Sequence, residues 1–210
     1  MTAVATKNQE IAAEAIEQLR GAVRGSVITP DDPGYDEARV VYNAMIDKRP
    51  ALIVQCVDVA DVMQGVTFAG AHDLPICVRG GGHNAAGLGT CDDGLVIDLA
   101  RMNAVHVNPS TKRVLVEGGA TWGDVDHATQ PFGLAVPCGI ISTTGGGGLT
   151  LGGGFGYLSR KHGLTIDNLV SADLVLADGS FVTVSETERP DLFWAIRGGG
   201  GNFGVVTAFE

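Results

Sequence analysis

The apolar positions of this chain change rhythm several times. Ile11, Ala12, Ile16 and Leu19 share one face at helical spacing, which predicts an amphipathic helix over residues 8–22. Residues 25–35 carry Pro30, Pro33 and Gly34 and read as a loop. Residues 51–56 form a short apolar run, a strand. Val59, Val62, Met63 and Val66 return to helical spacing over about 58–72, and Ile76-Cys77-Val78 is a strand again, so these three pieces make a β-α-β unit.

Beyond it the elements become short. Residues 95–99 predict a strand, and residues 104–107 and 114–117 predict a strand pair joined by the turn Asn108-Pro109-Ser110-Thr111. Thr121 stands as the N-cap of a helix with Trp122, Val125 and Ala128 on one face. Residues 134–136 are extended, and residues 157–162 form a short helix stopped by Gly163. Residues 169–176 and 181–184 bracket Asp178-Gly179, a strong hairpin signal. A helix over 190–196, with Pro190 in its first turn, precedes a last strand at 205–209. No turn or cap follows that strand, which suggests a fragment of a longer protein. The class expected is α+β, with many short strands and no regular strand-helix alternation.

Glycine interrupts this pattern in an uneven way. The chain has 31 glycines in 210 residues, about twice the usual ~7%. Five lie in residues 80–89, eight in 145–156 and five in 198–204. Apolar runs flank these windows, so they read as folded loops where backbone comes close to something, rather than as linkers.

The first window, Arg79-Gly80-Gly81-Gly82-His83-Asn84, loosely matches a dinucleotide fingerprint through Gly80, Gly82 and Ala85. A Rossmann motif must open a helix. Here residues 84–90 offer no amphipathic helix, and a strand comes next. Two readings stand: a wide turn, or a strand-loop-strand nest of N–H groups that binds phosphate. The second window, Ser142 to Gly156, lets backbone lie flat against a planar ligand or another segment, with hydroxyls at Ser142, Thr143 and Thr144 available to phosphate or ring atoms. The third contains Gly199, Gly201 and Gly204 in fingerprint spacing but in helix-to-strand order, the reverse of the Rossmann arrangement. No P-loop sequence is present.

Charge and cysteine usage narrow the class. The net charge is −10, and no basic stripe appears among the 14 Lys and Arg, which argues against nucleic acid. A hydrophobic fraction of 45% and a charged fraction of 18% suit a globular domain. The four cysteines, Cys56, Cys77, Cys91 and Cys138, show no zinc spacing, and Cys56 and Cys77 read as buried thiols. His72, His106, His127 and His162 read as surface or capping residues. The first twenty residues lack a signal-peptide core and no window is long enough to span a membrane, so the cytoplasm is the expected location.

Four segments in order resemble one family: Arg79 to Asn84, Ser142 to Gly156, Ser159-Arg160-Lys161-His162-Gly163-Leu164, and Asp191 to Val206. Together they are similar to the FAD-binding domain of berberine-bridge-enzyme-like oxidoreductases, in the vanillyl-alcohol-oxidase/p-cresol-methylhydroxylase (PCMH) flavoprotein fold. The resemblance covers about residues 34–210. It implies two α/β subdomains with FAD between them, over 46–107 and 108–210, with residues 1–45 as an N-terminal helix and lead-in. It implies a loop of Arg79, Gly80, Gly81, Gly82 and His83 that wraps the pyrophosphate, with Asn84 and Gly87 also among the cofactor-binding residues. It implies a bond from His83 to the flavin 8α-methyl, and from Cys138, in Pro137-Cys138-Gly139, to flavin C6. Ser142, Thr143, Thr144, Gly145, Gly147, Gly148, Gly152 and Val206 are implied to line the flavin and its phosphates.

The residue types suit that chemistry, since imidazole and thiolate are nucleophiles that add to an electron-poor ring. The resemblance further implies hydride transfer from a small-molecule alcohol, sugar or related carbon centre, with dioxygen as acceptor. Two departures accompany it. Leu149 stands where some members have histidine. The family's substrate domain and catalytic base lie beyond the segment matched here, so no catalytic base is expected within it. A binding module without turnover is the alternative reading. No metal site is expected, and the oligomeric state is open.

Overall fold

The computed structural model describes residues 11–210. Helix α1 is Ala13–Ala22; residues 8–10 of the expected helix lie outside the described residues. Strand β1 (Ser26–Ile28) and a helical turn α2 (Tyr35–Ala38) follow within the stretch read as a loop. Then come β2 (Leu52–Gln55), α3 (Val59–Ala71), β3 (Ile76–Arg79) and β4 (Leu95–Asp98). Strands β5 (Val105–Asn108) and β6 (Arg113–Glu117) precede α4 (Trp122–Thr129), α5 (Gly146–Leu151) and α6 (Ser159–His162). Strands β7 (Ser171–Val175) and β8 (Phe181–Ser185), α7 (Pro190–Gly199) and β9 (Val205–Phe209) complete the order.

Two sheets result, and the fold is α+β as expected. The first has the order β1-β2-β4-β3. β4 is parallel to both β2 and β3, so the two strands of the β-α-β unit are not neighbours; β4 lies between them. β1 adds antiparallel to β2, so the stretch expected as a lead-in supplies an edge strand of the first sheet. The second sheet is antiparallel throughout, in the order β5-β6-β9-β7-β8. The chain passes from one sheet to the other between Asp98 and Val105, ahead of the 107/108 division expected from the sequence.

Local chemistry explains the boundaries. The Asp58 side chain accepts the Asp61 N–H at 3.1 Å and caps α3. Thr121 caps α4 as expected, and Asp124 answers it in a reciprocal capping box. Gly179, at φ +80°, turns the β7–β8 hairpin, and the carboxylate of Asp178 accepts from the Ser180 N–H at 2.9 Å.

Apolar packing joins the two halves. Leu19 of α1 and Val62 and Val66 of α3 bury against Leu52, Val54, Leu95 and Ile97, and Val175 and Val205 of the second sheet enter the same core. On the second sheet Phe193 and Ile196 of α7 bury against Leu174, Val184, Val206 and Phe209. A third cluster sets Trp122 and Val125 of α4 on Val116. Among the described residues no helix is long and apolar enough to cross a membrane.

Candidate functional site

The site forms where the carboxyl ends of β3 and β4 meet the loop before α5. Arg79 and Asp98 end their strands in register. The Arg79 guanidinium donates to Asp98 Oδ2 at 2.8 Å and to the Val40 carbonyl at 3.3 Å. The ion pair is 8% and 5% exposed, so the guanidinium is spent on fixing the loop root. What the loop itself offers is backbone. The consecutive N–H groups of Gly80, Gly81, Gly82 and His83 find no acceptor among the described residues. Successive unpaired N–H groups make an anion-binding concavity. Asn84 shapes the exit, its side-chain oxygen accepting from the N–H of Ala86 at 3.0 Å and of Leu88 at 3.2 Å. Gly87, at φ +71°, lies against Ile46.

The second glycine window meets this loop directly. Its leading residues run beside the start of α4: Trp122 N–H donates to the Thr144 carbonyl at 3.0 Å, and Gly123 N–H to the Ser142 carbonyl at 2.8 Å. Residues 146–151 then form α5, an element the sequence reading does not contain. Glycine is a poor helix former, by about 1 kcal/mol per residue relative to Ala. Packing overrides that cost: Gly146 lies against the Ala120 carbonyl and Val116, and Gly147 against the Gly118 carbonyl and Phe209. The Thr150 hydroxyl also donates to the Gly146 carbonyl at 2.7 Å. Gly148 alone in this turn faces open space, where an added Cβ meets nothing within 4 Å.

His83 lies between these segments. Its ring stacks on Tyr42, with centroids 4.0 Å apart and planes 16° apart. Its Nε2 is 3.1 Å from the Thr143 hydroxyl. Tyr42 escaped the sequence reading, being one aromatic in an aperiodic stretch. The tertiary structure ties that stretch to the loop: Tyr42 N–H donates to the Gly82 carbonyl at 3.1 Å, and the Asn43 amide to the Ala85 carbonyl at 3.0 Å. A cavity of about 440 Å3 opens beside the loop, lined by Val41, Tyr42, Arg79 to Gly82 and Asp98.

The other expected residues are placed less uniformly. Cys138 is half-buried beside the α4 cluster, and its thiol donates to the Gly139 carbonyl at 3.4 Å. Burial, with a contribution from Asp126, pushes this thiol up to about 11. Leu149 packs on the same cluster and over Gly139. Gly152 ends α5, and Ser142 is exposed at the head of the window. Val206 is buried in the second sheet, behind Gly118, with its side chain in the α7 core. Cys77 is half-buried rather than fully buried as expected, whereas Cys56 is 0% exposed.

The fold has counterparts in known proteins. Residues 50–185 match the family model described as FAD binding domain. The chain is 43% identical over 189 residues to (R)-6-hydroxynicotine oxidase of Paenarthrobacter nicotinovorans, covering 90% of this chain and 41% of that protein. Among solved structures, 6-hydroxy-D-nicotine oxidase from Arthrobacter nicotinovorans aligns with TM-score 0.87 at 43% identity, over 89% of this chain and 41% of that one. Glucooligosaccharide oxidase from Acremonium strictum, described with a 6-S-cysteinyl, 8α-N1-histidyl FAD, aligns with TM-score 0.87 at 35% identity, over 93% and 42%. The chain thus spans about two-fifths of the length of these relatives. With its two sheets, its glycine loops and this match over most of its length, the chain belongs to the FAD binding domain family.

Proposed function

We propose that this chain is the flavin-holding part of an FAD-linked oxidase and that it carries FAD covalently through His83, with Cys138 as the second link. The observation that carries the reading is the placement of His83: a ring held on two sides, on the last residue of a run of four backbone N–H groups that find no acceptor among the described residues. That nest suits a pyrophosphate, which needs donors and no net positive charge. The open turn at Gly148 and the hydroxyls of Ser142, Thr143 and Thr144 suit the rest of the cofactor. Arg79 serves by anchoring the loop, Asn84 and Gly87 by shaping its exit, and Gly145, Gly147 and Gly152 by setting α5 against it. Val206 supports the wall from behind.

When bound, the flavin supplies a two-electron acceptor for a substrate hydride and passes those electrons to dioxygen. The substrate class we infer is a small polar molecule bearing an oxidisable carbon centre, by analogy with the nicotine and oligosaccharide oxidases above. Turnover belongs to the whole protein, since this chain spans only two-fifths of those relatives.

Intact mass of the purified protein tests the reading. An adduct of one FAD that survives acid denaturation is expected. His83→Ala and Cys138→Ala should each leave one bond, and the double variant none. Colour that washes away entirely from the wild-type chain in acid sinks the covalent reading.

A further inference from the structure

We infer that Tyr42 and Thr143 are positioning residues that set the plane and the rotation of the His83 ring, so that Nδ1 is presented as the reacting nitrogen. The inference rests on the proposed covalent role of His83 and adds what prepares that side chain for it.

The two contacts constrain different degrees of freedom. An imidazole on a surface loop samples several rotamers, and nucleophilic attack needs a fixed approach. Stacking on Tyr42, at 4.0 Å and 16°, fixes the ring plane. The free lone pair of one ring nitrogen and the N–H of the other both lie in that plane, so stacking obstructs neither. Thr143 then fixes rotation within the plane by engaging Nε2 at 3.1 Å. Nδ1 has no partner among the described residues. A threonine oxygen that accepts the Nε2 proton selects the tautomer whose free lone pair is on Nδ1.

The anchors come from different parts of the chain. Tyr42 precedes the first sheet's parallel strands and is pinned by its own N–H to the Gly82 carbonyl at 3.1 Å. Thr143 belongs to the segment that leads into α5. His83 is therefore held in one geometry only when both segments are docked. Tyr42 itself is 70% exposed, an unusual position for a large aromatic that contributes little to the core.

One C–N bond forms at Nδ1 and one C–H bond of a flavin ring methyl breaks. The methyl proton, the Nε2 proton and the electron pair end on dioxygen, as hydrogen peroxide. Nε2 emerges as an acceptor, and the Thr143 hydroxyl, which is both acceptor and donor, turns to donate to it.

Ring-nitrogen NMR on the full chain expressed without flavin reads the tautomer before any bond exists. His83 is expected as the Nε2–H tautomer in the wild type and as a mixture in Thr143→Val, with Thr143→Ser restoring the single form. A wild-type ring that carries its proton on Nδ1 overturns the inference, whatever the fate of the flavin. On addition of FAD, the rate of adduct formation by intact mass should fall roughly tenfold to a hundredfold in Thr143→Val and Tyr42→Leu. Tyr42→Phe, which keeps the stacking face, should react at the wild-type rate. Adduct formation as fast in Thr143→Val and Tyr42→Leu as in the wild type also overturns it. A wild type that keeps the Nε2–H tautomer but gains no FAD mass refutes the covalent function, and with it the role of these two residues in attachment.

Discussion

Gly81 and Gly145 cross backbone to backbone. A Cβ built on Gly81 would lie 2.3 Å from the Gly145 nitrogen, and one built on Gly145 would lie 2.3 Å from the Gly81 nitrogen. This reciprocal contact brings the first glycine loop against the second, and it is the reason His83 and Thr143, sixty residues apart, share a hydrogen bond. The glycines at this crossing are there because two chain segments touch.

Gly81→Ala and Gly145→Ala should therefore be severe. Neither contact partner is a flexible side chain, so the crossing must open. The expected cost is about 3 kcal/mol, and a thermal midpoint lower by roughly 6–12 °C. Gly148→Ala provides the contrast, because its Cβ meets open space. It should raise the midpoint slightly, by up to about 1 kcal/mol of helix propensity, while weakening FAD uptake in a fluorescence titration. A loss of stability in Gly148→Ala would contradict the open wall.

The Arg79–Asp98 pair should matter most when broken on one side. Asp98→Ala leaves a buried guanidinium with only the Val40 carbonyl. Such a loss costs about 3–5 kcal/mol, measurable by urea unfolding. Replacing both partners, as Arg79→Met with Asp98→Leu, should recover much of that stability while loosening the loop and slowing FAD uptake.

In the flavin-free chain Cys138 should be slow to react at neutral pH. Burial disfavours its thiolate and pushes the thiol up to about 11, so alkylation should quicken about tenfold per pH unit from 7 to 10. The sign for stability follows from the same shift. The unfolded thiol ionises near the ordinary value of 9.0. The folded chain keeps this contribution below that pH and loses it as pH rises from there toward 11. A labelling rate that reaches half its plateau at pH 9 would show an unperturbed thiol.

Cys77 should be the first cysteine labelled. The neighbouring Cys91 thiol lowers the Cys77 thiol below its ordinary value, with help from Lys48 and against burial, and burial pushes Cys56 far up. Limiting iodoacetamide at pH 7.5, followed by peptide mapping, should modify Cys77 ahead of Cys138 and Cys56. Cys91→Ala should abolish that preference.

Much of this was legible in the chain itself. Helices α3, α4 and α7 follow apolar spacing and capping residues such as Thr121, because those signals are local. The β7–β8 hairpin follows from Asp178-Gly179 for the same reason. His83 stood out through the ordered motif around it. Helix α5 did not, since its glycines carry no propensity and its helicity is imposed by neighbours distant in sequence. Strand β1 was hidden because three residues are too few for a visible alternation.

The sequence determined most of the helices and strands and where the glycine loops fall, because periodicity, caps and turn residues act over a few positions. Only the tertiary structure decided that β4 inserts between β2 and β3, that Arg79 turns inward to Asp98, and that Tyr42 and Thr143 close on His83. Those arrangements depend on contacts between distant segments, set by shared core burial and by where unpaired polar groups find partners, and no local pattern in the chain encodes them.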